Sequence, residues 1–244
     1  MTHSHRDITE LLASHGLAPR RAFGQNFVSD PNTVRRIARM ANVRAPDHVV
    51  EIGPGLGSLT LALLQATDRV TAIEIDSRLA TQLPLTAAEH GVPHGALDVI
   101  NQDAMKVFDI PGNPTKLVAN LPYNVSVPVL LTILERFPTI TSGVVMVQTE
   151  VAERLAAKPG SKVYGVPSAK AAWWCDVVLA DSVSRSVFWP VPNVDSSLVK
   201  FVRHEPLGDE NLRVRTFDLI DRAFGQRRKM LRSIYSDIYG GSGE

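Results

Sequence analysis

Short apolar runs alternate along the chain with longer segments in which apolar residues recur every three or four positions. His48-Val49-Val50-Glu51-Ile52 has strand length and runs into Gly53-Pro54-Gly55-Leu56-Gly57, after which Leu59, Leu61, Leu63 and Leu64 fall in a segment of helix length. The expected order is strand, tight loop, helix. Val70 to Ile75 then reads as a strand, the stretch to about His90 as a helix, Asp98-Val99-Ile100 as a strand and Lys116-Leu117-Val118-Ala119 as another. Ser126 to Phe137 suits a helix, Gly143 to Val147 a strand, Glu150 to Ala157 a helix, and Ser196 to Val202 alternates as a late strand. Strands separated by helices predict an α/β domain built on a doubly wound, Rossmann-like parallel sheet. Before it, Ile8 to Ser14 predicts a helix stopped by Gly16 and Pro19; after it, Asn211 to Tyr239 predicts two helices divided near Gly225.

Composition sets the scale. With 244 residues, 44% of them hydrophobic, the chain has room for one such domain, residues 1–205, and a small helical unit at 206–244. Its one cysteine, Cys175, excludes an intrachain disulfide and lies in the apolar run Ala171-Ala172-Trp173-Trp174-Cys175, which predicts a buried, inert thiol. No apolar run approaches the roughly 20 residues of a membrane span, and the first six residues lack a signal-peptide core. A soluble protein of the reducing cytoplasm is expected, with no membrane partner and no metal site.

The net charge of +1 does not announce a nucleic-acid partner, but the basic residues are unevenly spread. Arg20, Arg21, Arg35, Arg36, Arg39 and Arg44 form one concentration, and Arg213, Arg215, Arg222, Arg227, Arg228, Lys229 and Arg232 another. Solvated helix faces and phosphate-binding surfaces are both open readings.

In an open parallel sheet, ligands bind beyond the carboxyl ends of the strands, so the residues ending each strand belong together. These are Gly53, Glu74, Asp103 and Asn120. Gly53 and Gly55 let main chain approach a ligand closely. Glu74 can accept both hydroxyl protons of a ribose, and Asp103 can accept from the exocyclic amine of an adenine. Ser58 replaces the third glycine of the dinucleotide fingerprint G-x-G-x-x-G, which leaves a nicotinamide or flavin enzyme as the weaker alternative to S-adenosylmethionine.

Asn120-Leu121-Pro122-Tyr123 closes the fourth of these strands with an amide, a rigid turn and an aromatic ring, and it resembles the N/D-P-P-Y/F-type loop of amino-methyltransferases. The lone pair of an adenine amine is delocalised into the ring. The Asn120 side-chain oxygen and the Leu121 carbonyl can each accept one amine hydrogen and return that density to nitrogen. Pro122 fixes the turn, and Tyr123 can stack on the base.

From about Arg20 to Arg232 the chain resembles the KsgA-type ribosomal RNA adenine dimethyltransferases. Phe23-Gly24-Gln25-Asn26-Phe27 resembles the N-terminal signature that covers the cofactor, which implies contacts from Asn26 and the main chain of Val28. Phe188-Trp189-Pro190-Val191-Pro192-Asn193-Val194-Asp195-Ser196 resembles the F-x-P-x-P-x-V-x-S motif, which implies that Phe188 faces Tyr123 across the target base. Ala223-Phe224-Gly225-Gln226-Arg227-Arg228-Lys229-Met230-Leu231-Arg232 resembles the signature opening the helical C-terminal domain. The relatives continue for several more helices, whereas this sequence ends at Gly240-Gly241-Ser242-Gly243-Glu244, so a truncated or shortened domain is expected.

The resemblance implies a class I S-adenosylmethionine methyltransferase sheet. Its implied activity is dimethylation of two adjacent adenosines near the 3′ end of small-subunit ribosomal RNA, by a monomer acting on a partly assembled 30S particle. Arg227, Arg228, Lys229 and Arg232 are the implied RNA contacts. A large-subunit, antibiotic-resistance dimethyltransferase and a non-catalytic RNA-binding relative are the alternatives; Asn124 after Tyr123 and the Arg-Arg-Lys run speak against the first, intact Asn120, Pro122 and Tyr123 against the second.

Overall fold

The structure is a computed structural model and describes residues 3–20, 23–236 and 238. Arg21 of the first basic concentration, Tyr239 and the segment 240–244 lie outside the described residues. The chain opens with α1 (His5–Ser14), β1 (Phe27–Val28) and α2 (Pro31–Met40). There follow β2 (His48–Ile52), α3 (Ser58–Leu63), β3 (Arg69–Glu74), α4 (Ser77–Glu89), β4 (Leu97–Asn101), β5 (Lys116–Asn120), α5 (Ser126–Arg136), β6 (Ser142–Gln148), α6 (Thr149–Ala156) and α7 (Val166–Ala171). The chain continues through β7 (Cys175–Val183), β8 (Phe188–Trp189), β9 (Ser196–Arg203), α8 (Glu210–Gly225) and α9 (Leu231–Ile234).

Seven strands form one sheet in the order β4-β3-β2-β5-β6-β9-β7. The strands from β4 to β6 are parallel, and the order reverses about β2, which pairs with both β3 and β5. Alternation along β5 and β6 splits the core into two layers. Val118, Val144 and Met146 face α2 and α3 through Val34, Ile37, Leu59 and Leu63, while Leu117, Ala119, Val145 and Val147 face Leu130, Ile133 and Leu134 of α5. The result is helices on both faces of one sheet.

Each strand expected from the sequence is present, its ends displaced by at most one residue. The sheet is mixed rather than wholly parallel, because β9 runs antiparallel to both β6 and β7. β7, at the edge of the sheet opposite β4, carries no clean apolar pattern: Cys175, Val177 and Val183 are buried, Val178 and Leu179 are about half exposed, and the register slips between Leu179 and Asp181. α2 lies within the first basic concentration. Asp30 caps it, Pro31 opens it, and Val34, Ile37 and Ala38 bury one face, while Arg36 pairs with Asp181 at 3.0 Å. α8 docks through Phe217, whose ring meets Trp173 and Trp174 edge-on. Cys175 is buried, as expected, and burial pushes its thiol up to about 12. Among the described residues no helix is long and apolar enough to cross a membrane.

Gly143 in β6 faces the Leu117 carbonyl and the Phe201 ring so closely that a Cβ would sit 2.1 Å and 2.6 Å from them. Gly143→Ala is expected to destabilise the sheet centre by about 2–3 kcal/mol, read as a lowered denaturant midpoint with unchanged slope.

Candidate active site

A cavity opens at the carboxyl ends of β2 and β5, where the strand order reverses, and holds about 960 Å³ together with its solvent mouth. Asn26, Val28, Gly53, Gly55, Glu74, Asp103, Asn120, Leu121, Pro122 and Tyr123 all line it. Residues spread over nearly a hundred positions of sequence therefore meet in one place. They do so because parallel strands deliver all their carboxyl ends to the same edge.

The glycine loop takes backbone conformations that other residues rarely adopt, with φ +67° at Gly53 and +58° at Gly55. A Cβ on Gly55 would lie 2.9 Å from the Phe27 ring, so the loop and the N-terminal segment close on each other only without a side chain there. Glu74 is 4% exposed, and both its oxygens hold main chain: Oε2 accepts from Gly55 N at 3.1 Å and Oε1 from Asp76 N at 2.9 Å. Burial raises its carboxyl above the ordinary range. Each oxygen retains a lone pair for a ribose hydroxyl. Asp103 is half-buried and caps the 3₁₀ turn Ala104–Lys106, Oδ1 accepting from Met105 N at 2.9 Å, which leaves the other oxygen for an amine.

The N-terminal segment is tied over the cavity at two points. Gln25 Nε2 donates to Asp76 Oδ2 at 3.2 Å, and Arg78 beside Asp76 holds that carboxyl down at about 2. Asn120 Nδ2 donates to the Asn26 carbonyl at 3.2 Å. That bond fixes the amide plane and turns Oδ1 away. Asn120 Oδ1 is buried and has no hydrogen-bond partner among the described residues. A buried acceptor left open at a cavity wall is the position a donor from a ligand completes.

The Tyr123 hydroxyl pairs with Ser196 Oγ at 2.5 Å, so the final residue of the proline-rich motif holds the aromatic ring of the Asn120–Tyr123 loop. Sequence reasoning misses this role of Ser196; the signal is a serine 73 positions from the tyrosine, visible only as the end of a motif. It misses Glu51 and Ser58 as well, although a carboxylate inside the apolar run of β2 is a distinctive signal.

Phe188 is not among the residues that line the cavity: it is 1% exposed and packs in the core with Val28, Val183 and Leu198. Pairing of β8 with β1, Val28 against Phe188, turns the ring inward, and the next residue, Trp189, points the opposite way towards α1. The basic residues Arg227, Arg228 and Lys229 are all exposed in the turn after α8, Arg232 is exposed on α9, and the Arg227 guanidinium lies over the Phe224 ring at 5.3 Å. No group of three or more His, Cys, Asp or Glu among the described residues is arranged to hold a metal ion.

Carboxylates able to accept from a ribose and from an adenine amine, with an open amide oxygen beside an aromatic ring at the switch point of the sheet, fit one class. This is an S-adenosylmethionine-dependent methyltransferase with a Rossmann-like sheet. Residues 16–242 match the family described as ribosomal RNA adenine dimethylase. A protein named ribosomal RNA small subunit methyltransferase A from Leifsonia xyli subsp. xyli is 60% identical over 238 residues, 96% of this chain and 84% of that one. Its namesake from Streptomyces griseus subsp. griseus is 58% identical over 238 residues, covering 96% and 81%. Among solved structures, a dimethyladenosine transferase from Plasmodium falciparum superposes with a TM-score of 0.71 at 30% identity, covering 84% of this chain and 73% of that one. The 23S rRNA methyltransferase ErmE does so at 0.70 and 27% identity, covering 88% and 85%. The chain belongs to the ribosomal RNA adenine dimethylase family.

Glu74→Ala is expected to weaken S-adenosylmethionine binding by about 1–3 kcal/mol in titration calorimetry, because it removes the ribose acceptor and strands the Gly55 and Asp76 N–H groups. Glu74→Gln, which keeps one acceptor oxygen, should fall between the parent and alanine. Unchanged affinity in both variants would remove Glu74 from the site.

Proposed function

We propose that this chain transfers methyl groups from S-adenosylmethionine to N6 of two adjacent adenosines near the 3′ end of small-subunit (16S) ribosomal RNA, forming N6,N6-dimethyladenosine. It acts as a monomer on a partly assembled 30S particle, and residues 206–244 begin a helical unit that helps dock the RNA. The observation that carries the chemistry is the open, buried Asn120 Oδ1. Its amide is already oriented by Asn26, so the acceptor needs no rearrangement when the amine arrives.

The cofactor, when bound, supplies an electrophilic methyl group. The chain's own residues prepare the nucleophile. Asn120 Oδ1 and the Leu121 carbonyl each accept one amine hydrogen, which favours a tetrahedral nitrogen whose lone pair points at the methyl. The start of the loop is fastened by the Leu121 N–H, which donates to the Met146 carbonyl at 3.0 Å. Pro122 packs against Gly53 and keeps the loop at the cavity wall. Tyr123 stacks on the flipped-out base, a contact of about 1–3 kcal/mol, with its ring fixed by Ser196. The amine becomes acidic only after it gains its fourth bond, so no base is needed beforehand.

Similarity to ErmE keeps a large-subunit substrate as the second reading. Identity of 60% to a protein named for the small subunit, against 27% to ErmE, supports the first.

Tyr123→Ala is expected to abolish most methyl transfer while leaving cofactor affinity intact, whereas Asn120→Ala lowers both; methylation of small-subunit particles against calorimetry separates them. Tyr123→Ala at the parent rate would sink the stacking role. Mass spectrometry should find two methyl groups on each modified adenine, and faster reaction on large-subunit RNA would overturn the substrate assignment. Alanine at Arg227, Arg228 and Lys229 together should flatten the salt dependence of RNA affinity, by about 0.9 in slope for each duplex phosphate that is no longer neutralised.

A further inference from the structure

The first basic concentration takes no part in the chemistry above, and the structure divides it. Arg20 reaches Asp76 at 3.9 Å and Arg36 pairs with Asp181 at 3.0 Å. Arg35 and Arg39 stand with Asn32 on the solvent face of α2, because Thr33, Val34, Ile37 and Ala38 bury the other face, and Arg44 follows past the end of the helix. Arg35, Arg39 and Arg44 are all exposed, and among the described residues none of their guanidinium groups pairs with a carboxylate. The cause is in the sequence: no Asp or Glu lies between Asp30 and Asp47. Other helices set arginines against acids on their own surfaces, Arg6 of α1 with Glu10, Arg154 of α6 with Glu150 and Arg222 of α8 with Asp218, each pair four residues apart. Arg35 and Arg39 have that spacing with like charge, which works against the helix that carries them. A polyanion laid along this face would remove the repulsion.

Position and chemistry narrow the occupant. Val28 lines the cavity and Asp30, two residues on, caps α2, so the arginine stripe begins beside the cavity and runs away from it. At its far end Asn42 borders a second cleft, lined also by Lys116, Lys200 and Arg203 and by no Asp or Glu; Lys200 has no partner among the described residues. The surface therefore keeps one sign of charge from the cavity to the foot of the helix. Between Phe27 and Arg44 there is no aromatic residue. Unpaired RNA is gripped by stacking its bases on aromatic rings, whereas paired RNA is held through its phosphates and 2′-hydroxyls, for which arginines and amides suffice. We propose that the outer face of α2, through Arg35, Arg39 and Arg44, binds the phosphate backbone of a double-helical stretch of the RNA whose adenosines enter the cavity. The assignment rests on the RNA reading and adds to it a docking surface apart from Arg227, Arg228 and Lys229. Contacts to phosphates read no sequence; they fix where the duplex lies relative to the cavity, so that the target adenosine is already placed when it leaves its stack.

The test measures, on the full chain and across a salt series, affinity for bare small-subunit ribosomal RNA, for a plain RNA duplex of unrelated sequence and for small-subunit particles. Alanine at Arg35, Arg39 and Arg44 together should lower the salt slope on bare RNA and on the duplex by about 0.9 for each phosphate no longer neutralised, about 2–3 in all. Lysine at the same three positions should restore the slope, since a phosphate accepts either cation as a point charge. S-adenosylmethionine affinity should stay at the parent value in both variants, and the loss in methyl transfer by the alanine variant should appear as a raised KM for RNA. An unchanged slope on bare RNA or on the duplex overturns the proposal. A loss confined to particles assigns the face to a ribosomal protein, and a loss that lysine does not restore assigns it to packing; either overturns the proposal too. A parent whose RNA affinity is indifferent to salt overturns the RNA reading and this proposal with it.

Discussion

The hydrogen bond from Asn120 Nδ2 to the Asn26 carbonyl joins the end of a central strand to the segment that covers the cavity, across 94 positions of sequence. Two consequences come from it at once. The covering segment is held down, with Gln25 and Asp76 as its second fastening, and the Asn120 amide is left with its oxygen open. An amide that donates through nitrogen on one side must present oxygen on the other. Closing the cavity and orienting the open acceptor proposed for the target amine are thus one act. The geometry depends in turn on Gly55, because any side chain there would strike Phe27 and lift the segment away.

Three acidic side chains at this end of the sheet are held in different states by their surroundings. Asp76 is deeply acidic because Arg78 and Gln25 bond it, Glu74 is raised by burial but steadied by two N–H donors, and Glu51, with a hydroxyl as its hydrogen-bond donor, is raised furthest. The first fastens the cover and the second holds the glycine loop in its unusual conformation. Residue type alone does not separate them; the number and kind of donors around each does. The basic residues of the turn after α8 and of α9 are exposed and do not line the cavity, which suits the phosphate contacts proposed for them.

What could be read in advance was whatever neighbours in the chain decide. The apolar runs of β2, β3, β5, β6 and β9 are buried almost throughout, so their strands were legible almost to the residue, and β4, at a sheet edge with no buried residue, was legible from Asp98-Val99-Ile100 alone. Glycines at 53 and 55, the acidic strand ends and the Asn120-Leu121-Pro122-Tyr123 loop were legible as one group because parallel strands bring their carboxyl ends together, and all of them line the cavity. β7 was not: its outward Val178 and Leu179 are apolar yet about half exposed and its register slips between Leu179 and Asp181, so neither a buried run nor an alternation marks it.

The sequence by itself determined the class of sheet, the edge at which ligands bind and the family, because all three follow from local pattern and motif. Only the tertiary structure decided that Phe188 is a core residue, that Ser196 holds Tyr123, and that Asn120 points its oxygen into the cavity. It also decided the state of Glu51, whose proton affinity is set by the water it loses and not by the residues beside it in the chain. Each of these rests on groups far apart in sequence, or on the removal of solvent, and both come into being only when the sheet has closed around them.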